Sequence, residues 1–193
     1  DLRVELEGKA AEAATLKMDE RTIVQLEKTQ QEYDATRTSG DVKGTLTING
    51  NAGDFLGSAI IGERKGMRGG LVIVKGNAGD RVGDQMRRGI ILIEGNVGQY
   101  CASRMLAGTI GVLGKVGEYI GFGMRRGTLL LTQKPKLHAT MQDCGVHTMP
   151  FLSLMFKALE DLPTRFAQIK QNRVQRYAGD LGNDGRGEIL VFK

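Results

Sequence analysis

Five glycines, Gly44, Gly70, Gly89, Gly108 and Gly127, each open a nearly identical stretch, and the last four stand nineteen residues apart. The first copy reads Gly44-Thr-Leu-Thr-Ile-Asn-Gly50-Asn-Ala-Gly53, and the second reads Gly70-Leu-Val-Ile-Val-Lys-Gly76-Asn-Ala-Gly79. The third keeps Gly95-Asn96-Val97-Gly98, and the fourth keeps Gly114 and Gly117. A fixed period of this length means one structural unit stacked on copies of itself. It also lowers the expectation of catalysis, because a repeat is selected for stacking rather than for one asymmetric reactive site.

Within each copy, the second and fourth residues after the opening glycine are apolar: Leu46/Ile48, Val72/Val74, Ile91/Ile93, Ile110/Val112 and Leu129/Leu131. Alternation with period two, rich in β-branched residues, predicts a strand with one buried face. The Gly-Asn-x-Gly that follows predicts a corner, since Gly and Asn both tolerate left-handed backbone angles. A further apolar pair and a second corner near Gly57, Gly83 and Gly121 complete the unit. Such a unit describes one turn of a right-handed parallel β-helix, so the chain is expected to be mainly β, a solenoid of about five nineteen-residue coils. The hexapeptide β-helix of acyltransferases is rejected, because nineteen is not a multiple of six and no aliphatic hexad recurs.

Stacking turns sequence columns into physical ladders. Met67, Met86, Met105 and Met124 form a column expected inside as flexible filler. Arg68, Arg87 and Arg125 form another, interrupted by Leu106 and extended sideways by Arg88 and Arg126. Stacked guanidiniums repel unless they are solvated or paired with carboxylates or phosphates, so these five arginines are the candidate contact for another subunit or a polyanionic ligand. The first two copies are twenty-six residues apart, which predicts a bulged loop near Ile61–Lys65.

The chain divides into an N-terminal helical arm or cap over 1–40, the β-helix over 41–134, and a tail over 135–193 with one helix after Pro150 and an extended end. Lys9 to Tyr33 lacks Gly and Pro and reads as an amphipathic helix, either covering the first coil or docking on another subunit. The chain opens on Asp1 rather than Met, which points to a trimmed or incomplete start. There is no signal-peptide pattern and no apolar run near the ~18–20 residues that cross a bilayer. The two cysteines, Cys101 and Cys144, form no disulfide framework, and Cys101 is expected to be a buried thiol. A cytoplasmic protein without a membrane partner is expected. The formal charge of +5 favours acidic partners, while the 5% of aromatics and the missing motifs argue against nucleic acid.

His138, Cys144 and His147, with Asp143 between them, are the candidate metal ligands or Cys–His nucleophile pair. Their spacing matches no standard zinc module, and the expectation is a structural turn with no metal and no catalytic residue. Gly-x-Gly spacings, as at Gly121-Phe-Gly123, belong to the repeat rather than to a dinucleotide loop.

The repeated Gly-x-apolar-x-apolar-x-Gly-Asn-x-Gly, preceded by Met-Arg-x-Gly, resembles the GXGXG β-helix of two families. These are the C-terminal domain of the glutamate synthase large subunit and the C-type subunit of formylmethanofuran dehydrogenase. Asp143-Cys144-Gly145, Pro150-Phe151-Leu152 and Arg176-Tyr177-Ala-Gly-Asp180-Leu-Gly-Asn-Asp184-Gly-Arg-Gly187-Glu188 look like the second of these families. In particular they look like its relatives in the bacterial formyltransferase/hydrolase complex of methylotrophs. The resemblance covers about residues 41–193 and implies a non-catalytic structural subunit that scaffolds A-, B- and D-type partners in one-carbon metabolism. It implies that this chain binds no cofactor, and that any molybdenum or tungsten lies on another chain. The complex would use a methanofuran-type coenzyme, polyglutamylated in some members, and a tetrahydromethanopterin derivative. A basic subunit beside such a tail is electrostatically sensible. The alternatives are the C-type subunit of a true molybdenum or tungsten formylmethanofuran dehydrogenase, a glutamate synthase-type scaffold domain, and a metalloenzyme using His138, Cys144 and His147.

Overall fold

The computed structural model describes residues 44–193, so the helix expected over Lys9–Tyr33 lies outside the described residues. Eight strands form one sheet in the order β1-β2-β3-β4-β5-β8-β7-β6. They are β1 (Thr45–Ile48), β2 (Arg68–Val74), β3 (Arg88–Ile93), β4 (Thr109–Val112), β5 (Arg126–Leu131), β6 (Gln142–Thr148), β7 (Arg173–Gly179) and β8 (Arg186–Phe192). Among the described residues one α-helix, α1, spans Pro150–Ala158, and a 3-10 turn follows at Arg165–Gln168.

Strands β1 to β5 pair in parallel in chain order, and the apolar columns read from the sequence are true ladders. Leu46, Val72, Ile91, Ile110 and Leu129 are successive Cα partners. Parallel neighbours usually need a helical crossover. Here the connections stack as well: Ala78, Val97 and Val116 form parallel bridges, and Tyr100 and Arg104 donate backbone N–H bonds to Glu118 and Phe122 one repeat later. Side chains of one parity, with fully buried Met86, Met105 and Met124, fill the space between strand and connection.

The structure differs from the one-sided strand expected. Ile73, Leu92, Leu130 and Leu190, on the opposite face, are also completely buried. They meet a second core built by the tail, with Leu152 and Phe156 of α1, Leu159, Phe166 and Val174. Pro150 takes the first turn of α1, where its missing N–H has no helical partner to lose. Gly111 stands in the same column as Leu92 and Leu130 because Phe166 occupies its place: a Cβ there would lie 2.6 Å from the Phe166 ring.

The tail holds the helix expected after Pro150 and an extended end, but it is more ordered than that expectation. It contains three strands, and β8 returns to pair in parallel with β5, placing Arg186 and Gly187 opposite Arg126 and Gly127. Arg186-Gly-Glu-Ile-Leu-Val is a sixth rung separated from the fifth by the whole β6–α1–β7 excursion. Strands β6 and β7 then extend the sheet antiparallel.

The second corner turns on left-handed Gly57, Gly83 and Gly121 as expected, but the Gly-Asn-x-Gly corner works differently. Left-handed backbone falls not on the Asn of Gly-Asn-x-Gly but on Phe55, Arg81, Tyr100 and Tyr119, with φ of 62°, 57°, 57° and 58°. The glycines of Gly-Asn-x-Gly are needed for close approach instead. A Cβ on Gly95 would lie 2.6 Å from the Gly76 carbonyl of the preceding rung. That closeness lets each Asn reach across. Asn51, Asn77 and Asn96 accept from the backbone N–H of Asn77, Asn96 and Lys115, each at 2.8 Å.

Candidate functional site

The corner before each strand is built by Met-Arg-x-Gly. Met points inward. Gly89 has a φ of 103°, and a Cβ there would lie 2.8 Å from Met67 Cε, so both its angle and its space demand glycine. Between the buried Met86 and this turn, Arg87 and Arg88 are exposed, as are Arg68, Arg125 and Arg126.

The ladder corrects the arginine column. Arg68 is the Cα partner of Arg88 rather than of Arg87, because Gly69-Gly70 puts an extra residue into β2 and the register shifts before Leu71. The tail adds an arginine that sequence reasoning misses. Arg186 is the Cα partner of Arg126, and only the Arg-Gly-x-apolar pattern in β8 could have revealed it. Rung four carries Leu106 and Ala107 in place of arginines. Two cationic groups result. Lys65, Arg68, Arg87 and Arg88 line a shallow depression of about 210 Å³, and Arg125, Arg126 and Arg186 lie beyond the gap.

Arg68 pairs with Glu63 at 3.2 Å, with both side chains largely exposed. Among the described residues, no ion pair involves Arg87, Arg88, Arg125, Arg126 or Arg186. Like charges one rung apart repel by about 1 kcal/mol in water, so this edge is a concentration of exposed positive charge.

The buried carboxylates are engaged internally. Burial would raise the Glu94 carboxyl, but the Arg165 backbone N–H at 2.8 Å, Lys75 Nζ at 3.0 Å and Thr164 outweigh it and hold the group below its ordinary value. Glu94 thereby ties the end of β3 to the tail. Asp180 is likewise lowered against the effect of burial, by Thr140 and by N–H bonds of 2.9 Å from both Gly123 and Gly182. Asp84, 3% exposed, accepts from Ser103 and from Arg104 Nε, each at 2.9 Å. Each carboxylate joins neighbouring rungs or pins the tail.

His138, Cys144 and His147 are not brought together around one point, and no three His, Cys, Asp or Glu side chains converge among the described residues. His138 Nδ1 shares a 2.6 Å bond with Thr140, while His147 Nε2 donates to the Cys144 carbonyl at 2.8 Å. Asp143 accepts from the Gly145 N–H at 2.8 Å and from Gln175. These are local turn and strand bonds. Cys101 is fully buried, and burial pushes its thiol up to about 12.

A further feature that sequence reasoning misses is an aromatic column at the surface, half-buried at Tyr100 and exposed at Tyr119 and Phe122. Tyr100 stacks on Tyr119 with ring centroids 5.0 Å apart, Arg81 lies over Tyr100 at 4.6 Å, and Phe122 meets Tyr100 edge-on. The nineteen-residue spacing of Arg81, Tyr100 and Tyr119 is the available signal. No helix among the described residues is long and apolar enough to cross a membrane.

No protein-family model matches the chain, and no curated protein sequence does. Among solved structures, a chain of the crystal structure of the formyltransferase/hydrolase complex (FhcABCD) from Methylorubrum extorquens in complex with methylofuran is 42% identical, with a TM-score of 0.73. The match covers 79% of this chain and 57% of that one, so this chain spans little more than half the length of the subunit it matches. Identity at this level accompanies common descent as well as a shared fold. The chain is a relative of a subunit of the formyltransferase/hydrolase complex.

Proposed function

We propose that the chain is a structural subunit of a formyltransferase/hydrolase-type complex, of the C type, and that its rungs wind as a right-handed parallel β-helix. The observation that carries this is the 42% identity to a chain of that complex over 79% of the present one. Parallel rungs whose connections also pair support the helical winding. Over the described residues the β-helix runs from β1 through β5, and β8 adds a last rung from the tail over 135–193.

In this reading the chain acts by rigidity. Stacked backbone hydrogen bonds, an inner core of methionine and aliphatic side chains, and asparagine ladders fix a rigid wall on which other chains are held at constant spacing. Its buried carboxylates join rungs or pin the tail to them, and its histidines make local bonds. The formyl-transferring and hydrolytic chemistry, with a methanofuran-type coenzyme, a tetrahydromethanopterin derivative and any metal, belongs to A-, B- and D-type partner chains in the cytoplasm.

The test is reconstitution. The chain co-expressed with the other three subunits should elute with them, and only the assembled complex should hydrolyse a formylated coenzyme. Turnover by the chain alone, or its failure to join the others, would refute the reading.

A further inference from the structure

Resting on that reading, we propose that the arginine edge is the docking site for a neighbouring subunit. The neighbour would present carboxylates in two groups with an apolar residue between them. Charge complementarity and spacing carry this. The edge runs over rungs β2, β3, β4, β5 and β8, four intervals of about 4.8 Å, or roughly 19 Å. Cations occupy it at both ends, while Leu106, half-buried on the middle rung, interrupts it. A uniform polyanion would be served by an unbroken column. A folded protein surface, with carboxylates flanking an apolar contact, matches the interruption.

The residue type points the same way. The two groups use arginine at six positions and lysine at one, Lys65. A planar guanidinium binds a carboxylate with two parallel hydrogen bonds and gives up its water more easily than an ammonium, which is why arginine is enriched where proteins meet. Each arginine follows or adjoins a buried methionine or a stacked strand pair, so the backbone beneath the side chains is fixed before the partner arrives. Arg186 ties the site to the tail: the second group is complete only when β8 has closed onto β5.

The experiment measures affinity of the chain for the remaining subunits of the complex across a salt series. Arg87→Glu/Arg88→Glu and Arg125→Glu/Arg126→Glu should each weaken binding by about tenfold or more near 0.15 M salt, and the salt dependence of what remains should flatten. Glutamine at the same positions should give smaller losses in the same order. Lys115→Glu/Lys193→Glu changes net charge equally at exposed positions beyond the opposite ends of the strands and should leave affinity unchanged. Circular dichroism confirms that each variant is folded, as expected for exposed side chains. Unchanged affinity in both arginine pairs, or an equal loss in the lysine pair, overturns the docking site while leaving the subunit reading intact. Failure of the unmodified chain to join the complex overturns the reading itself.

Discussion

The wall of β1 to β5 and the tail from 135 onward share a sheet, yet they are held together by opposite means. The wall's main contacts, its apolar columns and asparagine bonds, are made again one rung later. Val72 stacks on Ile91 as Ile91 stacks on Ile110, and Asn77 reaches Asn96 as Asn96 reaches Lys115. Apart from the β8 rung on β5, the tail is secured by contacts made once: Phe166 against Gly111, Arg165 and Thr164 on Glu94, and Asp180 on Gly123. Repetition spreads stability over many equivalent interactions, whereas single contacts concentrate it. The wall should therefore tolerate one lost contact that the tail cannot.

The largest break in this contrast should come from Phe166→Ala. The ring is completely buried over the strands, and truncation of such a ring costs about 3–5 kcal/mol. Hydrogen exchange should rise first in β6, β7 and α1 while β2 to β4 stay protected. The partner test is Gly111→Ala, whose new methyl would collide with the intact ring. Combined with Phe166→Leu, it should cost less than the sum of the two single changes, because the smaller side chain vacates the same space. Strict additivity would mean that the two positions do not meet.

The same contrast explains what is legible in the sequence. Columns nineteen apart identify the strands, their parallel register and the inward methionines without any knowledge of the tail. Gly111 cannot be understood that way, since its reason is Phe166, fifty-five residues later. Ile73, Leu92 and Leu130 are apolar in sequence, but what covers them is non-local. The corners mislead because Gly-Asn-x-Gly suits a left-handed turn as well as it suits close approach, and only the spacing between rungs distinguishes the two. On the candidate site, Arg87, Arg88, Arg125 and Arg126 are visible as a column. Arg186 joins them only through the return of β8, and the pairing of Arg68 with Arg88 depends on one extra glycine.

Acid should separate the regions more gently. Glu94 and Asp180 both titrate below their ordinary values in the folded chain. A carboxylate depressed by folding stabilises above its unfolded pKa of about 4, and that stabilisation is lost as pH falls through the folded value. Both groups hold the tail, so the tail should loosen below about pH 4 before the wall does. Thermal unfolding followed from pH 7 to pH 3 should lose stability less steeply in Glu94→Gln/Asp180→Asn than in the unmodified chain. Parallel slopes would show that these carboxylates are not what acid releases.

The smallest perturbation is the most discriminating, because the two thiols report separately. Cys101 lies in the wall, fully buried and with its thiol pushed up to about 12, whereas Cys144 lies on β6 with its sulfur 3.6 Å from the Gln142 carbonyl. Alkylation proceeds through the thiolate, so at neutral pH a maleimide should label Cys144 in the folded chain and Cys101 only after denaturation. Mass spectrometry of the labelled peptides reads both rates at once. In Phe166→Ala, Cys144 should become faster while Cys101 stays slow, since the inner core at Val82, Cys101 and Ile120 does not depend on the tail's ring. Labelling of both thiols at one common, accelerated rate would mean that wall and tail open together. The repeated contacts would then confer no stability of their own.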